Sequence, residues 1–591
     1  MTEKNSDFRW DMTPLAAANA EDFRRQLDQS VATAVAFGNQ YRGKVSTLEP
    51  DALIAALKAY EQLQLNAIKP QYYAHLLFAE DSTRDEAKKL SQLAAETGNR
   101  LTRELLFFDL EIMAISDERF ALLEGNGLLD NYHHYMTSLR KFTRHTLPER
   151  EEQLLKLKDL TGCTAFTRLF DELSASFSYT MVIDNEERKF TGEELLGYLH
   201  NPDRELRERA FSTFLEKHGE QALVYGTIFN TIALDHGKEM ELRGYSHPMQ
   251  STNTGNELSD ETVAQLMSVT AANYPLAQEY FKLKAKLLGL EKLKNTDIYA
   301  PVAESPKKYS FDEARELVLQ AYGGFNPDYI PALKRVFDEK HIDVFPRTGK
   351  SGGAFCMGVA PDTTPYLLLN HTSNLRDVAT LAHELGHALH FIRSGAQSLL
   401  NYHAPLPLAE TASVFGEMLL TRQMLDNEKD PAVKIALLCA KIEDIIATTF
   451  RQIVLTRFEE RLHLERQDDL LTETKICELW LEENGKLFGD QVEMIDAYRW
   501  GWSYISHFIH TRFYCYSYTF AELLVLALYR QYQLTGADFI PGYDAILTSG
   551  GSLSPADTAA LAGIEINEPG FWQSGYDTLK ELIAELKVLV E

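Results

Sequence analysis

Residues 380–390 read Thr-Leu-Ala-His-Glu-Leu-Gly-His-Ala-Leu-His, and the five residues His383-Glu384-Leu385-Gly386-His387 within them decide how the rest of the chain is read. Four helical positions advance the chain by about 6 Å and turn it by about 400°. Two imidazoles at that spacing therefore leave one face of a helix close enough to hold a single zinc ion, with the intervening carboxylate beside them. Such a grip forms only on a helix, and the flanking residues are helical in pattern. Leu375, Val378, Leu381, Ala382, Leu385, Ala388 and Leu389 recur at three- and four-residue spacing behind a Thr372/Ser373 cap, and Gly395 follows as a stop. A chance HExxH fixes only three residues and brings no such context.

The chain has 591 residues, 45% of them hydrophobic and 25% charged, with no low-complexity tract or fixed-period repeat, so a large packed core is expected. A formal net charge of −27 argues against nucleic acid as a partner, because phosphate binding draws on clustered Lys and Arg. No stretch approaches 18 uninterrupted apolar residues, so no membrane span is expected. The start, Met1 to Asp7, lacks the basic and apolar regions of a signal peptide, which points to the cytoplasm. Five cysteines, odd in number and without CxxC pairing, fit free thiols in a reducing compartment.

Working outward, residues up to about 190 read as successive amphipathic helices. A break at 179–189, with Val182-Ile183-Asp184-Asn185-Glu186-Glu187 as a turn between extended pieces, precedes a Thr191/Glu194 capping box. A domain boundary is expected there, giving a helical N-terminal domain over 1–190 and a catalytic domain over 191–591. Helices continue to about 340, one opened by a Ser310/Glu313 capping box. The runs at 342–345, 354–357 and 366–369 are short and strand-like, separated by Gly349, Gly352-Gly353 and Pro361-Asp362, and predict a small antiparallel sheet next to the HExxH helix. Helices resume after Gly395, including one opened by Ser554-Pro555 and a last one over about 577–590. The fold class is mainly α, a large helical protein.

A catalytic zinc takes three protein ligands and keeps one position open. The motif that carries its third histidine shortly after the second requires a glycine and then a histidine where this chain has His390 and Arg393, so the third ligand is sought on a following helix. Glu410 and Glu417 both qualify on 408–419; they lie about 10 Å apart along a helix axis, so one reaches the metal. Glu410, 23 residues past His387 and among small residues, is chosen. Glu417 then either orients a ligand histidine or is a solvated helix charge. His390, about 10 Å along the axis from His383, is excluded as a joint ligand. The run Gly352-Gly353-Ala354-Phe355 reads either as a strand able to pair with a peptide backbone or as a hairpin turn.

Pro365 to Asn370, Thr380 to His390 and Leu408 to Ser413, with the later segment Ser506 to Tyr518, resemble the oligoendopeptidase F branch of the thimet oligopeptidase family of zinc peptidases. The resemblance implies His383, His387 and Glu410 as ligands of one Zn2+, Glu384 as general base, and a helical fold enclosing a deep substrate channel that admits short unstructured peptides as its partners. It further implies an oxyanion-stabilising histidine and tyrosine in the later segment. His507 matches the histidine; Tyr514, Tyr516 and Tyr518 compete for the tyrosine role, with Tyr518 chosen because Thr-Phe-Ala-Glu522 follows it. A packing stripe is the alternative reading of these tyrosines. The expected activity is a zinc-dependent endopeptidase hydrolysing internal bonds of short peptides. A dipeptidase-type metallo-exopeptidase and a non-catalytic peptide-binding protein are the competing readings, the latter disfavoured by the intact Glu384.

Overall fold

The computed structural model describes residues 8–15, 19–124, 129, 131–302 and 308–590; the heptapeptide Met1 to Asp7, read above for its lack of a leader, lies outside them. Helix dominates, and seven short strands occur among the described residues. Among these residues no helix is long and apolar enough to cross a membrane.

Strands β1 (Tyr179–Ile183) and β2 (Glu186–Phe190) form an antiparallel hairpin whose two turn residues, Asp184 and Asn185, both have positive φ, 52° and 63°. Asp and Asn tolerate that left-handed pair better than other side chains do, which is why the turn was readable. Both predicted capping boxes form, Thr191 with Glu194 and Ser310 with Glu313. The two-residue strands β3 (Leu293–Lys294) and β7 (Val492–Glu493) pair in parallel.

The remaining sheet is β4 (Ile342–Asp343), β5 (Phe355–Met357) and β6 (Tyr366–Leu368), in the order β4-β6-β5. It is mixed, which corrects the antiparallel expectation: β5 and β6 are antiparallel, but β4 runs parallel to β6. The cause is the wide connection after β4. The buried Asp343 carboxylate binds Arg347 and Lys350, whose ammonium also reaches the carbonyls of Phe345 and Leu369, so the chain returns at a distance and β6 fills the middle position. β5 is left on the edge.

Packing divides the chain into two compact units, each made of three stretches. One comprises the chain to Glu149, Lys307–Met424 and Gln531–Glu565; the other comprises Arg150–Pro306, Leu425–Arg530 and Ile566–Glu591. The boundary expected near 190 falls inside the second unit, just after β2. A hairpin break marks a local change of structure and carries no information about which distant stretches pack together.

In the first unit, α1 (Ala20–Tyr41), α2 (Pro50–Glu80) and α3 (Asp85–Met113) pack on one another around Phe37, Leu53, Tyr60, Phe107 and Phe108. α2 also covers one face of the β4-β6-β5 sheet, where Leu76 and Ala79 meet Tyr366, Leu368 and Trp10. The HExxH helix, Leu375–Ser394, packs against β5 and β6. Its cap is Asn374, one residue past the expected Thr372/Ser373. Asn374 accepts from the Asp377 N–H, while the Asp377 carboxylate accepts from the N–H groups of Thr372 and Asn374, and Ser373 takes a left-handed φ of 72°. The last helix starts at Pro569, earlier than about 577.

Candidate metal centre

His383 and His387 project from one face of the HExxH helix as the spacing requires, and Gly386 brings the third donor to them. A Cβ at Gly386 would stand 2.4 Å from the carbonyl oxygen of Ala412 and 2.5 Å from the Cα of Ser413, so only glycine lets the backbone beyond Glu410 cross this close. Gly416 has the same function one turn on, where a Cβ would meet the hydroxyl of Tyr322, which donates to the carbonyl of Ala382 at 2.8 Å. Glu410 does not sit inside a continuous helix as expected. It is the joint between a single turn, Leu406–Ala409, and the helix Thr411–Asn427. Buried His390 lines the same cleft as Ala409 and Glu410; burial pulls its pKa down to about 4, leaving it neutral.

Nε2 of His387 lies 3.1 Å from Nε2 of His383, and Oε2 of Glu410 lies 3.3 Å from each. Among the described residues these three form a cluster able to hold a metal ion. Zinc with four bonds of about 2.0–2.1 Å separates its ligand atoms by about 3.3–3.4 Å along each tetrahedral edge, so the donor set fits the ion in spacing and in chemistry. Two features orient it. Glu417 accepts from Nδ1 of His383 at 2.6 Å, which leaves Nε2 as the free lone pair, and the Ser413 hydroxyl donates to the same Glu410 oxygen at 2.8 Å. Burial works against charge on Glu410, but the two imidazoles outweigh it and hold the carboxyl far below its ordinary range.

Glu384 is 5% exposed, and its Oε2 is buried without a hydrogen-bond partner. Burial raises its pKa; His383 and His387 oppose that rise, and the carboxylates of Glu410 and Glu417 add to it. The Glu384 carboxylate shares a cleft of about 340 Å³ with Ala354, Phe355, Cys356, His403 and the three donor residues. Of the expected substrate residues, Ala354 and Phe355 line this cleft. Gly352 and Gly353 form the turn before β5, Gly353 at φ 72°, and Asn370 donates to the carbonyls of Ser351 and Gly353. Gly386, Ser413, Tyr322 and Asn370 were missed in the sequence; a glycine inside the motif was the available signal for the first.

The later segment belongs to the second unit. His507 opens the turn His507–His510, and its Nε2 is 3.3 Å from the hydroxyl of Tyr518. Tyr514 joins them, with ring centroids 5.5 Å from His507 and 5.0 Å from Tyr518. Tyr516 does not. It lies two positions from Tyr518 in the helix Tyr516–Thr535, hence about 200° around it, and is fully buried with its hydroxyl accepting from Asn256 at 2.8 Å. Tyr516 is a packing residue, which corrects its place among the catalytic candidates.

A helical protein in which an HExxH helix and a following glutamate converge three metal-donor atoms beside a buried carboxylate has the organisation of a metallopeptidase. The description of peptidase family M3 matches residues 197–578, and that of oligopeptidase F matches residues 111–179. The chain belongs to peptidase family M3, a family of peptide-hydrolysing metallopeptidases. It is 25% identical to oligopeptidase PepF of Bacillus subtilis, covering 95% of this chain and 84% of that protein. It is also 25% identical to group B oligopeptidase PepB of Streptococcus agalactiae, covering 99% and 97%. Among solved structures, a Chlamydophila abortus chain superposes with a TM-score of 0.86 at 24% identity, covering 100% of this chain and 99% of that one. Oligoendopeptidase-F of Enterococcus faecium does so with 0.72 at 20% identity, covering 97% and 100%. The last two likenesses concern the fold.

Proposed function

We propose that this protein is a zinc-dependent endopeptidase of the cytoplasm that hydrolyses internal bonds of short unstructured peptides. The observation that carries the reading is the convergence of His383, His387 and Glu410 at tetrahedral spacing beside the unpartnered Glu384 carboxylate, in a cleft bordered by the edge strand β5. His383, His387 and Glu410 would hold the ion. When bound there, zinc supplies Lewis acidity that makes a water nucleophilic near neutral pH and polarises the scissile carbonyl.

Glu384 takes the proton from the attacking water. Its burial, with the neighbouring carboxylates of Glu410 and Glu417, keeps that proton available, and the same carboxyl delivers it to the leaving amine. Glu417 fixes the tautomer of His383, and Ser413 fixes the rotamer of Glu410. The outer edge of β5, with Ala354 and Phe355, aligns an extended peptide by main-chain pairing and reads little of its sequence. His507 and Tyr518 are the assigned donors to the developing oxyanion, with Tyr514 beside them.

The test is incubation of the zinc-loaded protein with a peptide mixture, with and without chelator, followed by mass mapping of the cuts. Internal cuts abolished by chelator support the reading. Removal of terminal dipeptides alone assigns an exopeptidase, and binding without cuts assigns a peptide-binding protein.

A further inference from the structure

β5 is the edge of its sheet, and its two faces look into different spaces. Met357 points to the α2 side, where it packs with Tyr72 and Trp10; Phe355, which borders the cleft of Glu384, also packs on Trp10, and its ring lies 6.1 Å from that of His75. Cys356 lines the cleft of Glu384, and burial, with the Glu384 charge adding to it, holds its thiol well above the ordinary pKa. On the α2 side, beyond Met357, a second cavity of about 500 Å³ opens as a groove between α2 and α3. Ile68, Gln71 and Tyr72 form its α2 wall. The α3 wall is low, because Ser91 and Ala95 stand one turn apart there, with Gly98 following close to Gln71. In a chain of net charge −27, no Asp, Glu, Lys or Arg lines this groove.

We infer that the α2–α3 groove is a side-chain subsite of the peptide site, taking uncharged apolar or aromatic residues of a substrate paired to the outer edge of β5. This rests on β5 being the substrate strand. An extended peptide added to an edge sends successive side chains to opposite faces of the sheet. Side chains of one parity therefore enter the cleft of the HExxH helix, and those of the other parity face the groove. Met357, Ile68 and Tyr72 offer an apolar surface to such a side chain; the polar lining residues Gln64, Gln71 and Ser91 are uncharged, and burial lowers the pKa of His75, so a charged side chain would find no fixed counter-ion there. Backbone pairing at β5 then admits many sequences, while the groove imposes one preference at alternate positions.

The experiment is a positional scan of peptides on the zinc-loaded full chain, comparing wild type with Ala95→Trp and with Ser91→Trp, each of which fills the low wall. Lys89→Trp, outside the groove lining, is the control. Wild type is expected to favour Leu or Phe over Asp at one position, or at positions two apart, by on the order of tenfold in kcat/KM. Ala95→Trp and Ser91→Trp should flatten that preference, and Lys89→Trp should not. A wild-type scan with no such position overturns the proposal without any variant having to fold. So does a preference that survives both filling substitutions. If the wild type cleaves no peptide, anisotropy of a fluorescent Leu/Phe-rich peptide on Glu384→Gln is read instead. Binding weakened about tenfold by Ala95→Trp keeps the groove while the endopeptidase reading fails; unchanged or absent binding overturns the groove as well.

Discussion

At the scale of single residues, the centre is defined by what touches what. Glu384→Gln keeps the shape of the side chain but cannot take a proton, so zinc content should be unchanged while turnover falls to near background. Full activity in that metal-loaded variant overturns the base assignment. Glu410→Ala removes a donor atom and should empty the site, whereas Glu417→Ala removes only the acceptor of His383 Nδ1 and should weaken zinc affinity or activity by about 10–100-fold. Emission spectroscopy of dialysed protein ranks the two, and the reverse order exchanges their roles. Gly386→Ala sets two effects against each other. Alanine favours helix by about 1 kcal/mol over glycine, but the added Cβ meets backbone atoms of residues 412 and 413 that have no flexible end to move. Overpacking of this kind costs about 1–3 kcal/mol, so the steric effect should win, giving a lower Tm and reduced zinc content together.

At the scale of elements, the segment 507–518 separates packing from chemistry. If Tyr518 donates to an oxyanion, Tyr518→Phe should lower kcat by about 100–1,000-fold with little change in KM. Tyr516→Phe should cost stability of about 1 kcal/mol, through the lost partner of Asn256, and leave kcat within a few-fold of wild type. Equal, small effects on kcat from Tyr514→Phe, Tyr516→Phe and Tyr518→Phe would leave the oxyanion to His507 and the metal.

The elements also show how far the chain could be read in advance. The HExxH helix, both capping boxes and the Asp184-Asn185 turn are local: periodicity, a cap and a left-handed turn each lie within a few residues. The true cap of the metal helix was hidden because Asp377 organises three residues before it, and Thr372 looked as good a start as Asn374. The break at Glu410 has no local signal, because no proline lies between Leu408 and Leu419 and helix flanks Glu410 on both sides. The order β4-β6-β5 depends on Lys350 and Arg347 gripping a buried Asp343, a tertiary contact with no periodic signature. The convergence of His383, His387 and Glu410 and one of the two readings of Glu417 follow from spacing along helices, whereas Ser413, Tyr322 and Asn370 act through tertiary contacts that no spacing announces.

At the scale of the whole molecule, one buried acid links stability to pH. Glu459, 2% exposed, accepts the N–H of Phe513, which has a left-handed φ of 56°, and burial lifts its pKa to about 8 against the opposing pull of that N–H and of Arg512. Its folded pKa thus exceeds the ordinary value of 4.5 expected on unfolding. The folded state holds the proton more tightly, so this contribution is complete below about 4.5 and is lost as pH rises through about 8. Between pH 5 and 9 the wild type should lose on the order of a few kcal/mol of stability from this group alone. Denaturant unfolding of Glu459→Gln should show that slope flattened, and an identical slope would remove Glu459 as its source. If substrate pairs with β5 as proposed, that pairing also limits what the molecule can attack. Only a segment free of its own partners can add to that edge, so a stably folded domain should resist cleavage under native conditions while its denatured form is cut.

The HExxH helix is finished from far along the chain. It rests on the helix Ile540–Ser549, to which Arg393 bonds through Asp544 and Ser394 through the carbonyl of Leu547, 153 residues later. On the ribosome, a nascent chain that has already exposed both histidines and their glutamate still lacks the support on which their helix rests. If the proposed function holds, a chain that ends before residue 540 lacks these contacts and should cut peptides more slowly than the full chain, the contribution of a segment more than 150 positions beyond the motif it steadies.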